Sequence, residues 1–329
     1  MGPAEPGLTP PYPPDAPPEP PRPEPIRWPW VVAVVAGSLA LLAALVGIAL
    51  ISTGELPRSA TTGYLWMAGI GAVLLLVGLI GLAVRALRVK RHLSPERYRG
   101  PSVFVLLLII LVAGNMASAA FLLDDLGGLA SGARLPALSG TLLLLLTPIA
   151  FVSASYLFVL RPRALEGFEL GDGRRTLPRI ATGILLGLGA WVLVMLLSLG
   201  VEAAARAVGQ RIEGQQLVAD LLANVPPVLA IVAAAIIVPF GEELFFRGIV
   251  LNAWEREYGP RRGLWGSALL FTAVHVPDGG WLIIVPILAL ALLLGVAYQR
   301  TRSLPLVVAL HGAFNAVSTV LLILGAGAT

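Results

Sequence analysis

The run VVAVVAGSLALLAALVGIALIS, residues 31–52, decides the class of fold to which this chain belongs. It contains 22 residues and no charged side chain. A helix needs roughly 20 apolar residues to cross a hydrocarbon core about 30 Å thick, so this run predicts a membrane-spanning helix. The run is also longer than the apolar part of a secretory signal, so we expect a span that the chain retains.

Eight further apolar runs follow, at residues 65–84, 103–123, 138–160, 180–201, 226–252, 264–276, 281–298 and 304–324. We therefore predict an all-α fold, a polytopic helical membrane protein with about nine transmembrane helices (8–9). The composition agrees, because 57% of the residues are hydrophobic and 13% are charged, against about 25% charged in soluble domains. The chain has no cysteine, which excludes disulfides, thiolate metal sites and a cysteine nucleophile.

Basic side chains are concentrated in short stretches beside the apolar runs, at residues 85–99, 161–179, 256–262 and 300–302. These stretches fall on alternate connections, so all of them should lie on one side of the membrane, the cytoplasm. The loops therefore predict a cytoplasmic N-terminus. Lys90 is the one lysine among the 23 basic residues, which is typical of a GC-rich bacterial genome, so we expect a bacterial inner (cytoplasmic) membrane protein. The basic residues behind the net charge of +4 thus serve to orient the helices in the membrane and do not indicate binding to nucleic acid. We therefore expect membrane lipid and no nucleic acid as a partner.

Residues 1–30 hold 13 of the 27 prolines and predict a disordered, proline-rich cytoplasmic tail. The spacing of Pro18 and Pro21 would suit a docking partner of the SH3-like kind, and a passive tether is the other interpretation. After the tail we expect an N-terminal four-helix membrane region at 31–175 and a second membrane domain at 176–329.

The first five predicted spans contain no charged residue, whereas the last third of the chain places ionisable residues inside apolar runs. Such a group costs about 2.5–3.5 kcal/mol near the bilayer centre, so it normally faces protein or water and has a partner. Their clustering predicts one shared polar pocket. The residues are Glu242, Glu243, Arg247, His275 and His311.

The stretch VPFGEELFFRG, residues 238–248, contains two adjacent carboxylates and one guanidinium. Glu243 and Arg247 are four residues apart, on one helical face, so we predict a structural ion pair between them. Glu242 lies about 100° around the helix without a local counter-ion and is free for acid–base work.

Two later helices each carry a histidine with a companion four residues away. Phe271 and His275 share one face, and His311 and Asn315 share another. At about 1.5 Å of rise per residue, Glu242 and both histidines reach similar depths from the basic end of their helices. A common site in the cytoplasmic half of the membrane is therefore feasible.

These three patterns, Glu-Glu-x-x-x-Arg, Phe-x-x-x-His and His-x-x-x-Asn, appear in order and each within an apolar helix. Together they resemble the CPBP intramembrane proteases, which include the CAAX prenyl proteases and the bacteriocin-processing or immunity (Abi-like) proteins. The resemblance covers roughly residues 220–325, so the domain at 176–329 is interpreted as CPBP-like and catalytic. The first four spans and the tail are not explained by it.

The resemblance implies an endopeptidase in which Glu242 is the general base for an attacking water and His275 helps to polarise that water. His311 and Asn315 would stabilise the tetrahedral oxyanion, and the predicted ion pair would orient the site. The substrate would be a peptide or membrane protein that enters a pocket open to the cytoplasmic side.

Three alternatives stay open at this point. The chain lacks His-Glu-x-x-His, so we favour hydrolysis without a metal or other cofactor, with zinc bound by Glu242, His275 and His311 as the alternative. A proton-coupled transporter could use the same buried groups as a relay. A catalytically silent scaffold or immunity protein could keep the fold for binding alone.

Overall fold

The computed structural model describes residues 28–122, 137–167, 175–210, 225–279 and 281–326. Every regular element in these ranges is helical, which confirms the predicted all-α fold. We number nine helices in chain order: α1 Trp28–Ser52, α2 Thr61–Lys90, α3 Val103–Leu122, α4 Ala137–Ser155, α5 Thr176–Ala207, α6 Pro227–Tyr258, α7 Pro260–Gly279, α8 Ile284–Thr301 and α9 Leu304–Ala326. A π-helix, Tyr156–Leu160, continues α4.

Six of these helices are long and apolar enough to cross a membrane: α1, α2, α5, α6, α8 and α9. The apolar parts of α3 and α4, Val103–Ala119 and Leu144–Leu160, are shorter. Helix α7 has 20 residues but carries Arg261, Arg262 and Asp278, which lower its hydropathy. The protein is thus an integral helical membrane protein, whereas the predicted count of eight to nine spans is not confirmed.

The start of α1 differs slightly from the predicted end of the tail. Helix α1 begins at Trp28, so residues 28–30 are helical, and Pro29 lies in the first turn, where a missing N–H costs little. The rest of the predicted tail, residues 1–27, lies outside the described part of the chain.

Glycines allow two helix pairs to approach at backbone distance. A Cβ added to Gly37 of α1 would lie 2.4 Å from the backbone nitrogen of Leu75 on α2. On α5, added Cβ atoms at Gly183 and Gly187 would lie 2.3 Å from the carbonyl oxygens of Leu306 and Leu310. This is small-residue packing of the kind that joins helices in membranes, and it fixes α9 against α5.

Helix α6 belongs to both main hydrophobic clusters of the molecule. One cluster packs α6 against α2, α3, α4 and α7, and the other packs it against α5, α8 and α9. At the end of α6 the chain reverses through Gly259, whose φ of 86° favours glycine, and α7 starts at Pro260. The hairpin places α6 and α7 side by side.

Several of the predicted basic stretches meet at one end of the helices. Arg99, before α3, donates from its backbone to Ala164 and from its guanidinium to the carbonyl of Arg163. Arg302, after α8, lies 2.7 Å from the carboxylate of Glu255 on α6. The connections after α2, α4, α6 and α8 therefore share one end of the bundle, which agrees with the charge pattern of the sequence.

Candidate active site

Pro239 interrupts α6 one turn before the carboxylates. A proline has no N–H to give to the carbonyl four residues earlier, which here belongs to Ala235, and the segment Ala233–Ile237 is π-helical. Helix α9 packs on this opened backbone. A Cβ at Gly312 would lie 2.0 Å from the Ala235 oxygen, and Asn315 Nδ2 donates to Ala234 O at 3.1 Å.

The predicted ion pair lies in the centre of the protein. Glu243 and Arg247 are 0% and 1% exposed, and Arg247 Nη1 donates to Glu243 Oε1 at 2.8 Å. Arg247 Nη2 also donates to the carbonyl of Ala291 on α8 at 3.0 Å. Because a buried ion pair loses its hydration, these contacts are what make the two charges tolerable inside the bundle.

His311 of α9 completes this buried group. Its Nδ1 lies 2.9 Å from Glu243 Oε1, the oxygen that also accepts from Arg247. A carboxylate held by a guanidinium only accepts hydrogen bonds, so Nδ1 of His311 carries the proton. A neutral His311 then presents an unprotonated Nε2, which lies 3.9 Å from Glu242 Oε2.

His275 of α7 reaches Glu242 from the other side. Its Nδ1 lies 2.7 Å from the carbonyl oxygen of Phe271, which can only accept, so Nδ1 again carries the proton. Its Nε2 lies 3.9 Å from Glu242 Oε1. The His275 side chain is 24% exposed, whereas that of His311 is 4% exposed, so His275 is the less buried of the two histidines.

Three helices thus bring the predicted residues together around Glu242. Each of its oxygens lies 3.9 Å from an imidazole Nε2, a separation too long for a direct hydrogen bond and one at which a water can lie between the two groups. In the described part of the chain, Glu242 Oε2 has no hydrogen-bond partner. The carboxylate oxygens of Glu242 accept hydrogen bonds, so this region can bind a molecule that donates protons, such as water.

The same three side chains are the ones that the zinc alternative names. Zinc holds nitrogen and oxygen ligands at about 2.0–2.2 Å in a tetrahedron, which places two ligand atoms about 3.4 Å apart. Here each imidazole Nε2 lies 3.9 Å from a different oxygen of Glu242. Among the described residues, no group of three or more histidine, cysteine, aspartate or glutamate side chains could hold a metal ion.

Asn315, one turn after His311 on α9, binds the backbone of α6. Its amide donates to the backbone of α6, and no contact joins it to Glu242 among the hydrogen bonds of the described residues. One of its two N–H groups is used in this way, which leaves the second N–H for another acceptor.

Phe271 contacts three polar side chains of the site. Its ring stacks on His275 with centroids 4.4 Å apart, meets His311 edge-on at 5.9 Å and lies 4.6 Å from the guanidinium carbon of Arg247. Cations and rings attract in this geometry. The ring therefore holds both histidines and the arginine in fixed relative positions.

Sequence reasoning also passed over uncharged polar residues. Ser267 donates to the carbonyl of Phe246 at 2.9 Å, and Asn252 donates to the carbonyls of Arg247 and Gly248. The sequence indicates these contacts only weakly, because each residue is a single polar side chain inside an apolar run. In such a run the available partners are mostly backbone carbonyls.

Comparison with known proteins finds one family model that matches the segment carrying these residues. The model for "Type II CAAX prenyl endopeptidase Rce1-like" matches residues 224–317, which include α6 to α8 and the part of α9 that carries His311. A relative in Bacillus subtilis (strain 168), the uncharacterized protein YpbD, is 30% identical over 88 residues. That match covers 26% of this chain and 42% of the relative, so the chain matches less than half of YpbD.

No solved structure matches the chain. The three motifs and the family model nevertheless agree on the same segment. The segment of the chain that carries Glu242, His275 and His311 is therefore similar to the Rce1-like type II CAAX prenyl endopeptidases, as the resemblance in the sequence predicted.

Proposed function

We propose that this protein is an intramembrane endopeptidase in which Glu242 and the two histidines activate a water for attack on a peptide bond. The observation that carries the proposal is the meeting of Glu242 with two imidazole Nε2 atoms, each 3.9 Å from a different carboxylate oxygen. The match of residues 224–317 to a family of endopeptidases supports the reaction class.

In the first step Glu242 takes a proton from the water while the water oxygen attacks the peptide carbonyl carbon. A second hydrogen bond, from the water to His275 Nε2, orients the attacking lone pair. General-base catalysis needs this reach, within a hydrogen bond or one water. When the tetrahedral intermediate collapses, the C–N bond breaks and the proton on Glu242 passes to the leaving amine nitrogen.

Two donors are proposed for the oxyanion of that intermediate. The free N–H of Asn315 is one of them, since the other N–H already binds Ala234. His311 is the other in its imidazolium form, in which a proton taken up from solvent at Nε2 before the reaction points to the oxyanion while the Nδ1 proton stays on Glu243. Donors fixed before the reaction stabilise an oxyanion without further reorganisation.

The substrate is proposed to be a peptide or membrane protein rather than a specific prenylated sequence. The family description names CAAX prenyl substrates, and the sequence of this chain names none. The partial exposure of His275 supports entry on the α7 side, through a pocket that we propose opens toward the cytoplasm. The proline-rich tail, if it docks a partner, would do so from the same compartment.

We propose hydrolysis without a metal, because the chain lacks His-Glu-x-x-His and, among the described residues, no group of three histidine, cysteine, aspartate or glutamate side chains is arranged to hold a metal ion. If zinc were bound, Glu242, His275 and His311 would hold it, and the metal would supply Lewis-acid activation of the water.

Purified protein in detergent, incubated with a panel of membrane peptides, tests the reaction class. We expect site-specific cleavage, detected by mass spectrometry of the fragments. The same preparation in liposomes tests the competing classes. Proton flux without cleavage would favour the transporter, and neither activity would favour the silent scaffold.

A further inference from the structure

The part of α6 that carries Arg247 is not an ordinary α-helix. The segment Leu244–Leu251 is π-helical, with hydrogen bonds that tend to join residues five apart instead of four. Such a segment turns some carbonyls away from their usual N–H partners. In a buried segment, those carbonyls need other donors, because an unpaired buried polar group costs free energy.

Asn252 supplies donors at the end of this segment. Its Nδ2 lies 2.9 Å from Arg247 O and 3.0 Å from Gly248 O, and also 2.9 Å from the hydroxyl of Tyr298 on α8. An amide nitrogen has two hydrogens, so one serves both carbonyls and the other serves Tyr298. The opposite atom of the amide, Oδ1, accepts from Arg302 at 3.2 Å.

We propose that Asn252 is a positioning residue of the candidate site, which keeps Leu244–Leu251 in its π-helical form and so holds Arg247 and Glu243 in place. The inference rests on the proposed function. Without the amide donors, the carbonyls of residues 247 and 248 lose a hydrogen bond that they receive in the π-helical form, so α-helical bonding becomes more favourable by comparison. That change alters the register between Asn252 and Arg247.

The consequence reaches the site through contacts that other helices fix. Arg247 meets the carbonyl of Ala291 on α8, and Glu243 meets His311 on α9. Ala291 and His311 lie on other helices and do not move when α6 rotates. A change of register in α6 therefore displaces Arg247 and Glu243 from these two partners. Asn252 thus acts on Glu242 and His311 without touching them.

The test compares variants that differ in their donors to the two carbonyls. Asn252→Asp keeps the size of the side chain and an acceptor for Arg302 but has no N–H, and Asn252→Ala removes the donors without adding charge. Asn252→Ser keeps a hydroxyl that can donate to the carbonyl four residues earlier. Tyr298→Phe is the matched control, because it leaves both carbonyl contacts of Asn252 in place.

A spectroscopic readout separates this proposal from the proposed function. The chain has three histidines, so histidine-labelled protein in detergent gives three imidazole signals, and His311→Gln assigns one of them. In the parent protein the Nδ1 proton of His311 should exchange slowly with solvent. We expect Asn252→Asp and Asn252→Ala to lose that protection, Asn252→Ser to restore part of it, and Tyr298→Phe to retain it.

Peptide cleavage gives the second readout. We expect kcat to fall at least tenfold in the Asp and Ala variants with KM within about twofold, because the site is misaligned while substrate binding is kept. Full protection of the His311 proton in both variants would overturn the proposal. Absence of cleavage by the parent protein, together with the expected exchange pattern, would defeat the proposed function alone. If the Asp or Ala variant unfolds, Asn252→Ser decides the test. Partial recovery of the slow exchange of the His311 Nδ1 proton in this variant supports the proposal, and no recovery contradicts it.

Discussion

His311 Nδ1 lies 2.9 Å from Glu243 Oε1, and through this one contact a buried carboxylate joins α9 to α6. The same oxygen accepts from Arg247, so a guanidinium, a carboxylate and an imidazole meet in the buried centre of the protein. Glu243 therefore supports the neighbouring Glu242 by holding a histidine and neutralising a cation.

We expect Glu243→Gln and Arg247→Ala to lower stability as well as activity. Each change leaves one buried charge without its partner, which typically costs about 3–5 kcal/mol. Thermal unfolding in detergent measures the effect. The matched control is Arg206→Ala, which breaks the exposed ion pair with Glu202 at the same i, i+4 spacing and should change the melting temperature little. Unchanged melting of both buried variants would show that the pair is not structural.

Glu242→Gln should abolish cleavage and leave the protein folded. The amide has nearly the same shape but cannot take a proton from water, and loss of a general base typically costs about 10²–10⁴-fold in rate. Initial cleavage rates, with melting temperature as the folding control, test this prediction. Glu257→Gln, on the exposed end of α6, should cleave like the parent protein. A Glu242→Gln variant with normal turnover would remove this residue from the mechanism.

Gly187→Ala should destabilise the contact between α5 and α9. The added carbon would lie 2.3 Å from the carbonyl oxygen of Leu310, and overpacking of this kind typically costs about 1–3 kcal/mol. Gly189 on the same helix has nothing within 4 Å of an added Cβ, so Gly189→Ala should be neutral or slightly stabilising. Equal melting temperatures for the two variants would contradict the close packing.

The chain has no cysteine, so single cysteines report the membrane orientation directly. Arg91→Cys and Arg261→Cys should react with an impermeant thiol reagent only from the cytoplasmic side. Glu55→Cys, in the connection between α1 and α2, should react only from outside. Reaction of all three from one side would overturn the alternating arrangement of the loops.

Metal analysis of the purified protein should find no stoichiometric zinc, and a chelator should leave cleavage unchanged. If the zinc alternative is right, about one zinc per chain would be found, and it would be lost in His275→Ala and His311→Ala. Removal with the chelator would then stop cleavage, and added zinc would restore it.

The helices and the identity of the buried ionisable residues could be predicted because both depend on local rules. An apolar run of about 20 residues specifies a span, and a charge inside such a run needs a partner. The spacing of Glu243 and Arg247 was sufficient to predict their contact. The number of spans could not be fixed in the same way, because α7 combines charged ends with an apolar middle.

Other features of the site depend on the local backbone conformation. They could not be predicted from the spacing of side chains on an ideal α-helix. The π-helical segments of α6 change which residues share a face, and the sequence shows only Pro239 as their cause. The position of Asn315 follows from its hydrogen bond to the carbonyl of Ala234, in the π-helical turn before Pro239, which no pattern of side chains reveals. The contacts of Phe271 with three polar groups required the packing of three helices.

Arg256, near the end of α6, donates to the backbone carbonyls of Pro95, Glu96 and Glu166, which belong to two loops of the N-terminal helices. Every residue type carries a backbone carbonyl, so the contact between Arg256 and the two loops does not depend on which side chains the loops contain. During evolution the sequence of the loops can change while these hydrogen bonds are kept. Replacement of Arg256 removes the hydrogen bonds to both loops at once. A single substitution that separates the N-terminal helices from α6 is therefore expected at Arg256, and rarely in the loops that it contacts.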